Sequence, residues 1–183
     1  VYAHVWLACG AMAQVWWMGR FLGGPHPRVM IAVGAALMAA YGFMRIVRSL
    51  EPEPIASPWV RWVIEHREAM IVLVLCAGVV ALWAVADLHR VFAPYDLAVV
   101  PVTALYLVPW VDARGRSRGL RGLPFLKAPL IAAVWAVTTT GLSAVPVTEA
   151  LRTTALELAG LQFTFFLAFA IAFDGMDLPH DPK

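Results

Sequence analysis

Two aspartates near the end of the chain are the residues best suited to chemistry. Asp174 and Asp177 lie three positions apart in segment 173–181, directly after an apolar run. If the preceding helix continues through them, both lie on one helical face with Cβ atoms about 5–6 Å apart. Carboxylates are disfavoured at the negative C-terminal end of a helix unless a positive charge compensates. The pair therefore favours a divalent cation, and Mg²⁺ fits because it combines a few carboxylate ligands with water and phosphate.

A basic segment before the fifth apolar run complements these acids. Its five cations are Arg114, Arg116, Arg118, Arg121 and Lys127. Arginine guanidinium groups match phosphate oxygens through paired hydrogen bonds. A metal-binding acidic pair facing such a segment at a membrane surface would neutralise a lipid with a diphosphate head. Each half also has a simpler interpretation, because basic loops commonly only determine topology and acids after a span are commonly only solvated.

Composition decides what kind of fold must position these residues. The chain of 183 residues is 61% hydrophobic and 14% charged, against about 45–50% and about 25% for a soluble domain. This excludes a soluble domain of ordinary composition. The net charge of +2 gives no support to a nucleic-acid partner, and two cysteines, Cys9 and Cys76, are too few for a disulfide framework or a cysteine zinc site.

Six apolar runs are long enough to cross a bilayer, which takes about 20 residues per helix. They cover residues 2–20, 29–47, 69–87, 94–111, 128–145 and 155–173. We predict an all-α fold, a polytopic transmembrane helix bundle in which residues 1–183 form one membrane-embedded domain. Close helix packing is expected on the second span at small residues four positions apart, Ala32, Ala36 and Ala40.

The loops predict an orientation and a surface helix. Ten of the fourteen basic residues follow even-numbered spans, so those loops and the C-terminal tail are predicted to face the cytoplasm. Ser57 and Pro58 are suited to begin a helix that leads into the third span. In that helix Val63 is expected to face apolar surroundings, while Arg61 and Glu65 are expected to stay in water.

Other polar and aromatic residues receive structural interpretations. The five histidines show no metal-ligand spacing. Gln162, within the sixth run, is interpreted as an interhelical hydrogen-bonding residue. Trp135 is interpreted mainly as a packing residue.

At two segments the chain resembles the UbiA superfamily of intramembrane prenyltransferases. Residues 173–181 are similar to its second aspartate-rich motif, D-x-x-D-x-x-x-D, which follows the sixth helix. Residues 120–135 are similar to a segment between helices four and five of a bacterial UbiA-like branch. The resemblance covers the whole chain in helix order. It implies a bacterial inner-membrane bundle of eight or nine helices, of which the first six are present here.

The resemblance also implies a reaction. Mg²⁺ would be held by Asp174 and Asp177, with Asp181 as an outer partner. The bound Mg²⁺ would bind the head of an isoprenyl diphosphate, and membrane lipid would surround the bundle. The side chains implied for the diphosphate oxygens are Arg118, Arg121 and Lys127. Departure of diphosphate would leave an allylic cation, which an aromatic or quinone-type acceptor would attack.

The first acidic motif of this superfamily has no counterpart after the second span. Residues 41–53 contain neither Asn nor Asp. Tyr41 and Arg45 resemble a Y-N-x-x-R version of the motif, with Gly42 where that version has Asn. Two functions follow: a prenyltransferase, or a non-catalytic UbiA-like membrane protein that has lost the transferase step. A third alternative is a transport or sensing subunit, which the scarcity of charge within the spans disfavours.

Overall fold

A computed structural model describes residues 4–24, 26–49, 58–86, 110–111, 117–118, 124–144 and 151–177. Apart from short turns and one two-residue β pair, these residues are helical, which confirms the all-α class. Contacts divide the chain into two compact units. Unit 1 comprises Val1–Trp17 and Gly24–Arg90, and unit 2 comprises Met18–Gly23 and Val91–Lys183. The prediction of one domain over residues 1–183 stays a prediction.

Four helices account for most of the described part of unit 1. They are α1 (Val5–Phe21), α2 (Pro27–Arg48), α3 (Pro58–Glu65) and α4 (Arg67–Ala86). One face of α1 is buried at positions three and four apart, as the helical repeat requires. The buried residues are Ala8, Ala11, Val15 and Met18, and Leu22, directly after the helix, continues the same face. The last two of these belong to unit 2.

A glycine pair separates α1 from α2. Gly23 and Gly24 have φ angles of 104° and 125°, a region that side-chain-bearing residues rarely adopt. After the turn, Pro27 occupies the first position of α2, where its missing N–H has no helical partner to lose.

Helices α2 and α4 form the main contact of unit 1, and they run antiparallel. Arg28, at the start of α2, places its guanidinium carbon 5.8 Å from the centre of the Trp83 ring, near the end of α4. Gly42, near the other end of α2, approaches Val74 and Met70 of α4. Of the predicted small residues, Ala32 is buried but Ala36 is exposed, so the expectation of packing at Ala36 is wrong. At Gly42, α2 approaches the side chains of α4 closely.

The surface helix before the third span begins at Pro58, as predicted. Val63 is buried, whereas Arg61 and Glu65 are exposed, which confirms the expected amphipathic pattern. The chain leaves α3 at His66, whose ring stacks on the Trp62 ring with centroids 4.7 Å apart. Helix α4 then continues from Arg67.

Two long helical segments dominate the described part of unit 2. Helix α5 (Pro124–Ala136) continues without a break through a π-helical segment, Val137–Gly141, and a last turn, Leu142–Ala144. Helix α6 (Arg152–Asp177) packs along them. Seven residues connect the end of the first segment to the start of α6, and they reach at most about 25 Å. In a parallel arrangement this connection would have to run back along the whole 21-residue segment, which is about 31 Å long. The two segments are therefore antiparallel.

The π-helical segment widens α5 where it packs on α6. Ala128, Ala132 and Ala136 are buried at intervals of four along one face of α5. In the π-helical segment that follows, two adjacent residues, Thr139 and Thr140, are both 0% exposed. The hydroxyl of Thr139 donates to the Trp135 carbonyl at 2.8 Å. Within the described part of the chain, Thr140 Oγ1 is buried without a hydrogen-bond partner. Among the described residues, the π-helical segment thus contains a buried hydroxyl that no hydrogen bond compensates.

This difference predicts opposite effects of two identical substitutions. Thr140→Val removes an uncompensated buried hydroxyl and should raise stability by about 1–2 kcal/mol, whereas Thr139→Val removes a hydrogen bond and should lower it by about 1 kcal/mol. Melting temperatures of both variants in one detergent would measure the difference. A loss of stability in Thr140→Val would show that its hydroxyl has a partner in the folded protein.

The predicted fourth span falls mostly outside the described residues. Trp110 and Val111, at its predicted end, instead form a short strand β1 (Trp110–Val111) that pairs antiparallel with β2 (Ser117–Arg118). The helical prediction is wrong for these two residues. Pro109 lacks the N–H that a continuing helix would use, and an aromatic and a β-branched residue follow it, which favours a strand.

Three described helices are long and apolar enough to cross a membrane: Pro27–Val47, Arg67–Ala86 and Arg152–Ala172. They correspond to the predicted second, third and sixth spans. Their apolar side chains are largely exposed; Leu82 and Trp83 of α4 are 73% and 60% exposed. Such surfaces need an apolar surrounding, and the helices are compatible with an integral membrane protein. Helices α1 and α5 also coincide with predicted runs, and their crossing of the membrane stays a prediction.

Candidate functional site

Helix α6 extends beyond its apolar part and includes both candidate metal ligands. Asp174 and Asp177 belong to its last turn, so the expectation that the helix continues through both residues is confirmed. Their spacing of three residues corresponds to one helical face. Asp181 lies outside the described residues.

Lys127 belongs to the same end of the helix pair as Asp174. The rings of Trp135 on α5 and Phe166 on α6 stack with centroids 4.9 Å apart, which fixes the level at which the two helices face each other. Lys127 lies eight residues before Trp135, and Asp174 eight residues after Phe166. In an antiparallel pair, the backbones of both residues therefore lie about 12 Å along the helix axis from the level of the stacked rings, in the same direction. One predicted cation and the predicted acidic pair share one end of unit 2.

The other two predicted phosphate ligands are Arg118 and Arg121. Arg118 belongs to β2, where its backbone is opposite Trp110 in the β pair. Arg121 lies outside the described residues. Of the three predicted phosphate ligands, Lys127 alone is on a described helix, and its side chain is half-buried.

The interior of unit 2 bears out two structural interpretations. Gln162 Nε2 donates to the sulfur of Met18 at 3.7 Å, a contact between α6 and α1. This agrees with its interpretation as an interhelical residue. The stacking of Trp135 on Phe166 likewise agrees with a packing role.

A second group of candidate residues lies in unit 1, at the end of α2. Arg45 Nε donates a hydrogen bond of 3.1 Å to His4 Nε2, across 41 positions of sequence. The His4 ring also packs against the Tyr41 ring, with centroids 5.2 Å apart and planes tilted by 42°. The structure thus places His4 beside both Tyr41 and Arg45. We call these three residues the His4 cluster.

His4 has an unusual backbone and an altered basicity. Its φ of 54° is the one positive value among the described residues other than glycine, and holding it costs about 1–3 kcal/mol. Its carbonyl accepts a hydrogen bond from the N–H of Ala8, in the first turn of α1. Burial, followed by the nearby Arg45 charge, lowers the pKa of His4 below its ordinary value of 6.5. At neutral pH the ring is therefore uncharged and Nε2 can accept a hydrogen bond.

No functional role for His4 is predicted from the sequence. Spacing along the sequence could not reveal it, because its partners are on another helix. The signal that could have found it is the glycine pair at 23–24, since a helical hairpin folded there brings residue 4 opposite residues in the low forties.

Gly42 is the position at which the resembling motif has Asn. A Cβ atom added there would be 2.5 Å from Val74 Cγ2 on α4, closer than real Cβ contacts come. Valine is stiff at χ1 and cannot easily turn this methyl group away. The packing of α2 on α4 therefore selects glycine at this position.

Among the described residues, no group of three or more His, Cys, Asp or Glu side chains is arranged to hold a metal ion. Two carboxylates at one helix end nevertheless match the donor chemistry of Mg²⁺, which takes its remaining oxygens from water and phosphate.

Comparisons with known proteins add no family. No protein-family model matches the chain, and neither curated protein sequences nor solved structures give a significant match. The chain is therefore characterised by its helices and by the two residue groups above, and the likeness to the UbiA superfamily stays a prediction.

Proposed function

We propose that this chain is a UbiA-like membrane protein that binds an isoprenyl diphosphate and transfers the isoprenyl group to an aromatic or quinone-type acceptor. The observation that carries the proposal is the shared level of Lys127 and Asp174 on the antiparallel pair α5 and α6. Opposite charges at one end of a membrane helix pair suit a substrate with an ionic head and an apolar tail. Even-numbered loops and the C-terminal tail would face the cytoplasm of a bacterial cell.

The acids and bases have distinct parts in this proposal. Asp174 and Asp177 would hold Mg²⁺, with Asp181 as an outer partner. A bound Mg²⁺ supplies positive charge that stabilises the departing diphosphate. Lys127, Arg118 and Arg121 would bind and orient the diphosphate oxygens, and their fixed charges would favour the charge separation that precedes transfer.

One observation favours a second function, a non-catalytic UbiA-like protein. Gly42 has no room for the Asn of the resembling motif, because Val74 occupies that space. The other candidate from this motif on α2 is Arg45, whose guanidinium binds anions rather than metal ions. A protein with one acidic arm would retain lipid diphosphate binding and lose transfer.

A binding and transfer assay separates these functions. We expect the full chain in lipid nanodiscs to bind farnesyl diphosphate in Mg²⁺ and to lose this binding in EDTA, whereas farnesol, which lacks the charged head, should not compete. Release of inorganic diphosphate upon addition of an aromatic acceptor would support the transferase. Binding without release would support the non-catalytic protein, and equal binding in Mg²⁺ and EDTA would contradict the metal site.

A further inference from the structure

The π-helical segment Val137–Gly141 differs from an ordinary helical turn by one residue. The N–H of Leu142 donates to the carbonyl of Val137, which lies five residues earlier. In an α-helix each N–H donates to the carbonyl four residues earlier, so this turn contains one residue more than an α-helix needs. Nothing in the covalent structure fixes the extra residue to this turn, because a neighbouring turn can contain it instead. The segment therefore has a second arrangement.

Three buried hydroxyl groups show what the observed arrangement costs. Among the described residues, the buried hydroxyl-bearing side chains are Thr139, Thr140 and Ser143. Thr139 donates to the Trp135 carbonyl at 2.8 Å and Ser143 donates to the Thr139 carbonyl at 2.7 Å, in each case four residues earlier. Thr140 makes no such bond to the carbonyl of Ala136. Because Thr140 is 0% exposed, water does not replace the missing acceptor, and the desolvation of its hydroxyl is not compensated.

The second arrangement removes this cost. If the extra residue moves toward the end of α5, residues 137–141 form an ordinary α-helical turn. Thr140 then has the usual helical relation to the Ala136 carbonyl, and its hydroxyl gains the acceptor that it lacks. The Thr139 carbonyl accepts the Ser143 hydroxyl in the observed structure. In the second arrangement it accepts the Ser143 N–H instead.

This change of register rotates the end of α5. A shift by one residue turns the affected part of the helix by about 100° and moves it by about 1.5 Å along the axis. Leu142 then takes the place that Ser143 occupies in the observed structure. Ser143 is 5% exposed and Leu142 is half-buried. The shift therefore exchanges a polar for an apolar side chain at a buried position and turns the serine toward the surface.

The C-terminal direction of the shift follows from the residues on either side. The helical part after the π-helical segment is short, Leu142–Ala144, so few helical hydrogen bonds change. Pro146 has no N–H, so the Leu142 carbonyl has no α-helical backbone donor to lose. A shift in the other direction would rotate Trp135 and break its stacking on Phe166. The end of α5 is therefore the part that moves.

We infer that the π-helical segment is a hinge with two registers, in which the end of α5 rotates and Leu142 replaces Ser143 at a buried position. The uncompensated Thr140 hydroxyl raises the free energy of the observed register and so favours the second one. The hinge follows Trp135, whereas Lys127 precedes it. The rotation therefore leaves the predicted diphosphate-binding end in place, and its test needs no substrate.

The experiment measures the rate at which N-ethylmaleimide labels a single cysteine in the full chain, in one detergent. Cys9→Ser and Cys76→Ser first remove the two native thiols, which are exposed. The reporter is Ser143→Cys, which is buried in the observed register and reaches the reagent in the second. Thr140→Val removes the hydroxyl that favours the second register and should slow labelling of the reporter about tenfold. The matched change Thr139→Val, at a hydroxyl that already has an acceptor, should not slow it.

Two controls separate rotation from general unfolding. Ala132→Cys places a cysteine at a residue that is 0% exposed and precedes the π-helical segment, so it should be labelled at least about tenfold more slowly than the reporter. Deletion of Thr138 removes the extra residue and leaves the observed register alone. The reporter should be labelled slowly in this deletion variant, and Thr140→Val should slow it no further. Melting temperatures identify variants that fail to fold.

The outcomes are distinct. Slower labelling of the reporter in both Thr140→Val and the Thr138 deletion supports the hinge. An unchanged rate in Thr140→Val overturns it, because the buried hydroxyl would then have no effect on the rotation. Equal labelling rates at positions 132 and 143 also overturn it, since both would then become accessible by general unfolding. Fast labelling in a folded deletion variant overturns it as well, because the reporter would be accessible without the extra residue.

Discussion

Replacing Asp174 with Asn should abolish Mg²⁺-dependent binding of farnesyl diphosphate, and Asp177→Asn should do the same. Each change removes one carboxylate charge from a pair in the last turn of α6. Changes to outer partners of metal ligands alone cost about 10–100-fold in metal affinity, so loss of a direct ligand should cost about 100-fold or more. The measurement is a titration of farnesyl diphosphate in Mg²⁺ and in EDTA for each variant.

The same helix offers a matched control. Glu157 is an exposed acid near the start of α6, about 25 Å from Asp174 along the helix axis. Glu157→Gln makes the same change in charge and should leave binding within about twofold of the wild type. Equal losses in Glu157→Gln and Asp174→Asn would indicate a general effect of charge, and no loss in either aspartate variant would remove the metal site.

Lys127 provides an independent test of the other half of this site. Lys127→Met should weaken diphosphate binding in Mg²⁺ about tenfold, as expected for one charged contact, while the Mg²⁺ concentration needed for half-maximal binding should change little. In the two aspartate variants, by contrast, the Mg²⁺ concentration needed for half-maximal binding should rise steeply, together with the loss of diphosphate binding. If all three variants gave the same pattern, the division of roles between α5 and α6 would be wrong.

Sequence alone was sufficient where a property depends on one helix. The apolar runs, the start of α3 at Pro58 and the continuation of α6 through Asp177 follow from composition and from local helix signals. Once the helix is known, the spacing of three residues places Asp174 and Asp177 on one helical face. These features need no information about which helices are neighbours.

Sequence was insufficient where two helices meet. The His4 cluster depends on a contact across 41 positions of sequence. The requirement for glycine at position 42 depends on Val74, which belongs to another helix. The π-helical segment Val137–Gly141 contains one extra residue in its turn, and its first four side chains are β-branched. No hydrophobic period indicates that residue, because three successive threonines show no alternation of apolar and polar side chains.

Adding a single methyl group at Gly42 should destabilise the protein, whereas the same change at Gly78 should not. A Cβ at Gly42 would be 2.5 Å from Val74 Cγ2, but one at Gly78 of α4 would have nothing within 4 Å. Overpacking of this kind costs about 1–3 kcal/mol, and an unhindered Gly→Ala change within a helix gains up to about 1 kcal/mol. Melting temperatures of Gly42→Ala and Gly78→Ala should therefore shift in opposite directions.

A second substitution tests the cause. In Gly42→Ala with Val74→Ala, the obstructing Cγ2 atom is gone, and the next nearest side-chain atoms, Met70 Cε and Val74 Cβ, would be 3.8 and 4.0 Å from the added Cβ. The double variant should be more stable than the sum of the single effects predicts, with a coupling of about 1–3 kcal/mol. Gly42→Asn should restore no metal affinity in the otherwise unchanged chain, because its side chain meets the same methyl group. Additive single effects, or tighter Mg²⁺ binding by Gly42→Asn, would show that α2 and α4 can separate at this point and that the acidic arm is not excluded by their packing.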